Sequence, residues 1–222
     1  MVSKRLTAIL AALALCITGT ALAPAASAQD PILFVHGWSE SASVWNTMIE
    51  RFEEDGYTSS ELSAYSYNTS TSNVTTAEKE VASRVSKLKK ATGAEKVDII
   101  AHSMGSLNTR WYIKFVKGGE ANVDDWVSLG GPNHGTDTAN WCFSASCVEM
   151  RIGSTFLSEL NAGDETPGSV SYGTWWSPCD SIINPDSSVS LSGATNTKTE
   201  CISHTDLMND ATVYGQVASF VE

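Results

Sequence analysis

Positive charge is scarce in this chain of 222 residues: 14 Lys and Arg stand against 25 Asp and Glu, a formal net charge of −11. That balance excludes a basic nucleic-acid binder, which needs cations to displace counterions from phosphates. Charged residues of both signs make up only 18%, while hydrophobic residues reach 42% and include seven Trp, six Tyr and six Phe. A composition this apolar and aromatic excludes a disordered acidic chain and suffices for a substantial core. The chain also lacks the run of about 20 continuous apolar residues that a membrane anchor requires. Its N-terminal apolar run, Leu6 to Ile17, breaks at Thr18-Gly19-Thr20.

That run has the form of a secretory signal. Lys4 and Arg5 supply the positive region, and Ala26-Ser27-Ala28 is a small-residue cleavage site. Residues 1–28 are therefore expected to be removed, leaving a mature extracellular chain that starts at Gln29. Cys16 is read as signal core, because Leu15 stands where a lipid-attachment signal wants a small residue. Taking 28 residues and two cations from the chain leaves 194 residues at −13, one domain, 29–222, of ordinary size. In an oxidising compartment Cys142, Cys147, Cys179 and Cys201 form an even set for which disulfides are the default, with three pairings open. A metal site is disfavoured, since the spacing is irregular and no His lies at ligand spacing around Cys142 and Cys147.

Along the chain, strand-like and helix-like patterns alternate, which argues for an α/β sheet. Pro31 to Val35 is a short apolar run ending at His36-Gly37, a buried strand entering a tight turn. Val44 to Glu54 reads as a helix stopping at Gly56, and Leu62 to Tyr67 as a strand. Asn68 to Thr76 reads as a Ser/Thr-rich loop whose Asn68 and Asn73 triplets are taken as loop chemistry, not glycan sites. Thr76 to Thr92 places Val81, Val85 and Leu88 on one face, an amphipathic helix capped near Gly93 with Lys89 and Lys90 in its last turn. Val97 to Ala101 is another buried strand, followed by a helix from about Met104 to Val116. Val123 to Leu129, Val170 to Trp176 and Thr199 to Ile202 are further strands, and Asp210 to Phe220 closes the chain as a helix.

The informative stretch is Ala101-His102-Ser103-Met104-Gly105, where a buried strand gives way to a helix. A serine there stands on a sharp turn with its hydroxyl over the sheet edge, and the helix N-terminus behind it favours developing negative charge. Ala101 replaces the Gly usual two residues before the serine. A serine hydroxyl needs a base, normally a His oriented by a carboxylate. The chain has only four His. In the order Ser, acid, His, residues His36, His102 and His134 are misplaced, which leaves His204 on the loop before the last helix. The acid should follow the penultimate strand: Asp180, just past Pro178, is preferred, with Asp186 second. A Cys179–Cys201 bridge would tie the acid loop to the base loop, and Cys142–Cys147 would close a small surface loop. The two oxyanion-hole donors would be the N–H of Met104, after the nucleophile, and that of Trp38, in the turn after the first strand.

With these residues in place, and with Phe34-Val35-His36-Gly37-Trp38 and the loop Ser128 to Thr136, the chain resembles small secreted bacterial triacylglycerol lipases of the α/β-hydrolase superfamily. The resemblance covers nearly all of 29–222. It implies a minimal α/β-hydrolase fold, with a mostly parallel central sheet and helices on both faces. It also implies hydrolysis of triacylglycerol esters through an acyl-enzyme, with Ser103 as nucleophile, Asp180 as acid, His204 as base, and Trp38 and Met104 as oxyanion donors. No cofactor or metal is implied. The expected partner is a lipid or ester substrate at an interface, met by a monomer with no membrane anchor and an exposed site carrying at most a small flap. Trp38, Trp45, Trp141, Trp175 and Trp176 are candidates for an acyl-binding surface, at least half of them expected in the core instead. Two rivals stand beside this reading: a carboxylesterase for short or polymeric esters, and an inactive hydrolase-fold binding protein.

Overall fold

The apolar runs become strands of one sheet. A computed structural model describes residues 29–222, and the expected signal sequence lies outside the described residues. Six strands, β1 (Ile32–Val35), β2 (Leu62–Tyr65), β3 (Val97–His102), β4 (Val123–Leu129), β5 (Ser171–Trp176) and β6 (Thr195–Lys198), pair in the order β2-β1-β3-β4-β5-β6. Every pairing is parallel. The helices are α1 (Asn46–Glu54), α2 (Asn73–Thr76), α3 (Ala82–Thr92), α4 (Gly105–Phe115), α5 (Gly119–Asn122), α6 (Ala145–Met150), α7 (Thr155–Leu160) and α8 (Ala211–Ala218).

A parallel sheet is stable only when both faces are covered, because its crossover connections carry helices to either side. Alternate residues of β1 accordingly go to opposite cores. Leu33 and Val35 join Ile99, Ala101 and Trp126 beneath Val85 and Leu88 of α3 and Leu107 and Trp111 of α4. Ile32 and Phe34 join Ile100, Val127 and Trp175 against Met48 and Phe52 of α1 and Val213 and Val217 of α8. Full burial of each such aliphatic or aromatic side chain contributes about 1.5–3 kcal/mol before the entropy of ordering it. The helix ends follow the local chemistry. Gly93 takes the left-handed conformation (φ 78°) that closes α3, and the Asp210 carboxylate accepts the N–H groups of Thr212 and Val213 at the start of α8.

The strand order decides where a ligand can sit. Chain direction across the sheet reverses at β1, whose neighbours are β2 on one side and β3 on the other, so the loops leaving β1 and β3 diverge and open a crevice at their C-terminal ends. Those loops begin with His36-Gly37 and with Ser103.

Two sequence expectations need correction. The last strand is Thr195–Lys198, not Thr199–Ile202; a polar Thr-Asn-Thr-Lys edge strand lacks the apolar signal that buried strands show. The Thr199 N–H still bonds the Trp176 carbonyl at 2.8 Å, but Ile202 turns away to donate to Ser177 Oγ at 2.9 Å. The region expected as loop up to Thr76 turns helical at Asn73, and α2 runs through a wider turn at Ala77–Val81 into α3. Asn73 is buried and donates to the Glu149 carboxylate, which supplies the missing helix-start acceptor. Helices α6 and α7 had no sequence expectation; Ser144 and Ser154 cap them through their hydroxyls.

Candidate active site

Ser103 follows β3 directly and adopts φ 52°, a left-handed conformation that costs a side-chain-bearing residue about 1–3 kcal/mol. The turn is held by its surroundings. The Ser103 N–H donates to the Leu129 carbonyl of β4 at 2.9 Å, and α4 starts two residues later. Gly105 is required there, because a Cβ would press on the backbone carbonyls of Val35 and His36. Ala101, the departure from the usual glycine, lies fully buried in β3 without difficulty. Among the described residues the non-glycine positions with positive φ are Ser39 (61°) and Ser103, and both line the same cleft.

His204 and Asp180 come together from the loops after β6 and β5. His204 Nδ1 lies 2.7 Å from Asp180 Oδ2, while Asp180 Oδ1 accepts the N–H groups of Ile182 and Ile183 at 2.8 and 3.0 Å. Asp180, not Asp186, is therefore the carboxylate bound to His204. Burial alone would raise the Asp180 carboxyl, but the His204 bond and these N–H groups more than offset it and hold it below the ordinary aspartate value. Burial lowers the His204 imidazole, and nearby His102 adds to that, against the opposing pull of Asp180. Gly130, at φ 58°, passes so close that a Cβ would lie 3.1 Å from His204 Nδ1 and 3.2 Å from Asp180 Oδ2. Disulfides join Cys179 to Cys201 and Cys142 to Cys147, so one bridge fastens the loop of Asp180 to that of His204.

Ser103 and His204 line a cleft of about 390 Å³ whose walls include Trp38, Thr136, Ala139, Trp141, Met150, Ile182 and Ile183. Its rim is apolar and wet: Trp141 is 87% and Trp38 42% exposed. Phe143, within the loop closed by Cys142–Cys147, is 83% exposed. Of the five Trp candidates, Trp38 and Trp141 reach the cleft. Trp45 and Trp175 are core residues, and Trp176 packs under Lys198. Met104 is buried at the entry to α4 and Trp38 stands in the turn after β1. Neither backbone N–H has a hydrogen-bond partner among the described residues.

The match to known proteins decides the family. The sequence model for class 2 lipases fits residues 29–218. The chain belongs to the class 2 lipase family. As such it is a carboxylic ester hydrolase of the lipase type. Its fold is shared with solved structures of low identity. The mature form of a Bacillus licheniformis lipase superposes with a TM-score of 0.77 at 17% identity, covering 88% of this chain and 93% of that one. Aspergillus fumigatus lipase B gives 0.71 at 17% identity, with 84% of this chain covering 51% of that one. A Legionella pneumophila phospholipase gives 0.68 at 13%, covering 87% and 58%.

The sequence reading of this lipase-family chain passed over Glu40. Its carboxylate accepts the Gly37 N–H at 2.7 Å and meets His102 Nδ1 at 2.9 Å, on the cleft wall. Tyr67 was also overlooked: its hydroxyl donates to the His36 carbonyl at 2.7 Å and its ring stacks on His36. A carboxylate three residues past the His36-Gly37 turn was the one available signal for Glu40.

Proposed function

We propose that the chain is a secreted serine lipase that cleaves triacylglycerol esters through an acyl-enzyme, with Ser103 as nucleophile, His204 as base and Asp180 as the orienting acid. The reading is carried by the 2.7 Å contact between Asp180 and His204 together with Ser103 and His204 on one apolar cleft. In this mechanism His204 Nε2 takes the Ser103 proton as Oγ adds to the ester carbonyl. The backbone N–H groups of Trp38 and Met104, free of other partners among the described residues, hold the oxyanion. His204 then returns the proton to the leaving alcohol, and water, activated in the same way, releases the fatty acid. Asp180 keeps the proton on Nδ1, so that Nε2 faces the nucleophile as a base.

A glyceride substrate is supported by the apolar walls and by the exposed aromatic rings of Trp38 and Trp141 on the cleft, suited to a lipid surface despite the acidic charge. Secretion is supported by the two disulfides and by the signal-like first 28 residues. The test is release of p-nitrophenol from esters running from acetyl to palmitoyl, by the mature protein and by Ser103→Ala. Ser103-dependent activity on long chains is expected. Activity confined to short chains assigns the cleft to a carboxylesterase, and activity that survives Ser103→Ala overturns the mechanism.

A further inference from the structure

The segment from Thr138 to Val148 holds no charged residue, in a chain whose formal net charge is −11. Its two largest side chains, Trp141 and Phe143, stand 87% and 83% exposed. Rings left so far in water would ordinarily fold down onto the nearest apolar surface. Here the backbone beneath them is fixed. The Cys142–Cys147 bridge closes the loop, and Arg151 donates from Nε to the Ala139 carbonyl at 3.2 Å and from Nη2 to the Cys142 carbonyl at 2.9 Å. The same guanidinium lies 5.6 Å from the centroid of the Phe143 ring. Ser146 Oγ donates to the Thr69 carbonyl at 2.6 Å, and the Glu149 carboxylate takes the Ser72 hydroxyl and the Asn73 N–H, which ties α6 to the start of α2.

We infer that Trp141 and Phe143 form a rigid aromatic tip that docks the cleft onto the uncharged surface of a glyceride droplet. The inference deepens the lipase reading given above and rests on it for the choice of lipid. Trp141 lines the cleft together with Ser103 and His204, and the partly exposed Trp38 and Ile182 line it too. A surface that takes up the tip therefore meets the mouth of the cleft.

The chemistry of the tip selects its partner. Polar groups at its base are already paired: Ser144 Oγ accepts the Cys147 N–H at 3.4 Å, and the Val148 N–H donates to the Ser144 carbonyl at 3.1 Å. Insertion thus strips water mainly from two rings and leaves few hydrogen bonds to lose. The indole can keep its N–H at the wet boundary. Arg151 is engaged with backbone carbonyls and the tip itself has no cation, so nothing on it answers a phosphate headgroup. A loop already held in place also loses little freedom on docking. A second copy of this chain is the poorer fit, since two aromatic side chains offer about 300–500 Å² where a stable interface needs about 800 Å² from each partner.

Adsorption of the mature protein to an emulsion of tri-O-oleylglycerol, an ether lipid with no ester to cleave, measures docking apart from turnover. Centrifugation should find the protein on the floating droplets at low and at high salt alike. Phe143 stands outside the cleft, so Phe143→Ser should lower the partition coefficient roughly tenfold while leaving hydrolysis of dissolved p-nitrophenyl acetate unchanged. Adding Trp141→Ser should bring the loss to roughly a hundredfold. Equal partition of the parent and both variants overturns the proposal, as does adsorption that high salt abolishes. Binding to vesicles of diether phosphatidylcholine without binding to the droplets overturns the choice of a glyceride surface. A dimer seen by sedimentation velocity and dissolved by Phe143→Ser would assign the tip to a second copy and overturn the lipid partner. Failure of Ser103→Ala to abolish ester hydrolysis would refute the catalytic reading while leaving the adsorption result standing.

Discussion

Replacing Asp98 with Asn should make this protein more stable at neutral pH, and the size of the gain follows from where the carboxyl sits. Asp98 is in β3, 1% exposed, and its Oδ1 accepts the Asp125 N–H at 3.0 Å. Burial first, and then the neighbouring carboxylate of Asp125, push the group up to about 9 from an ordinary value of 3.8. Between those values the folded chain keeps a proton that the unfolded chain has released. Stability contributed by the protonated group is therefore fully present below the unfolded value and is lost as pH rises toward the folded one. At pH 7 the difference spans about three units, a ceiling of about 4 kcal/mol, which local relaxation should bring nearer to about 2. Asp98→Asn cannot ionise and keeps the Oδ1 acceptor. Urea denaturation at pH 7 should show it more stable by about 2–4 kcal/mol, shrinking toward zero near pH 4. Equal stability at pH 7, or a gain that does not depend on pH, refutes the reasoning.

The other expectations concern the site and its frame. Asp180→Asn should lower kcat by roughly 10³ to 10⁴ with KM little changed, since His204 loses its oriented tautomer; if Asp186→Asn does this instead, the acid is misassigned. Because burial lowers the His204 imidazole, and only its neutral form is a base, the acid limb of kcat/KM should fall below the ordinary imidazole value of 6.5 in a pH-rate profile. Gly105→Ala should cost about 1–3 kcal/mol, because the added methyl meets backbone at Val35 and His36 that no rotamer change can relieve; thermal unfolding measures it. Opening the Cys179–Cys201 bridge by a double Ser substitution should cost about 3 kcal/mol and lower kcat, and an unchanged melting temperature would argue against that closure.

Much of this was legible in the residues because it rests on local rules. The buried strands are continuous apolar runs because both faces of a parallel sheet are covered, and a run such as Val97 to Ala101 carries that signature by itself. Ser103 could be placed because a strand, a small-residue turn and a helix must follow one another for the hydroxyl to project. His204 emerged because so few histidines were available in the required order. The edge strand Thr195–Lys198 escaped because it is polar and owes its place to pairing with β5, not to a pattern of its own. Helix α2 escaped because its start is stabilised by Glu149, 76 residues away, and no local window contains that acceptor.

What the sequence by itself determined is the alternation of strand and helix, the sharp strand-to-helix turn at Ser103, and a short set of residues from which a site could be drawn. The contact of Asp180 with His204, the two of five Trp side chains that reach the cleft, and the joining of Glu40 to His102 were decided only by tertiary structure. Each depends on which loops the parallel sheet brings to one end. Electrostatics and hydrogen bonding act through a few ångströms of space, and Glu40 reaches His102 across 62 residues of chain as His102 reaches His204 across 102.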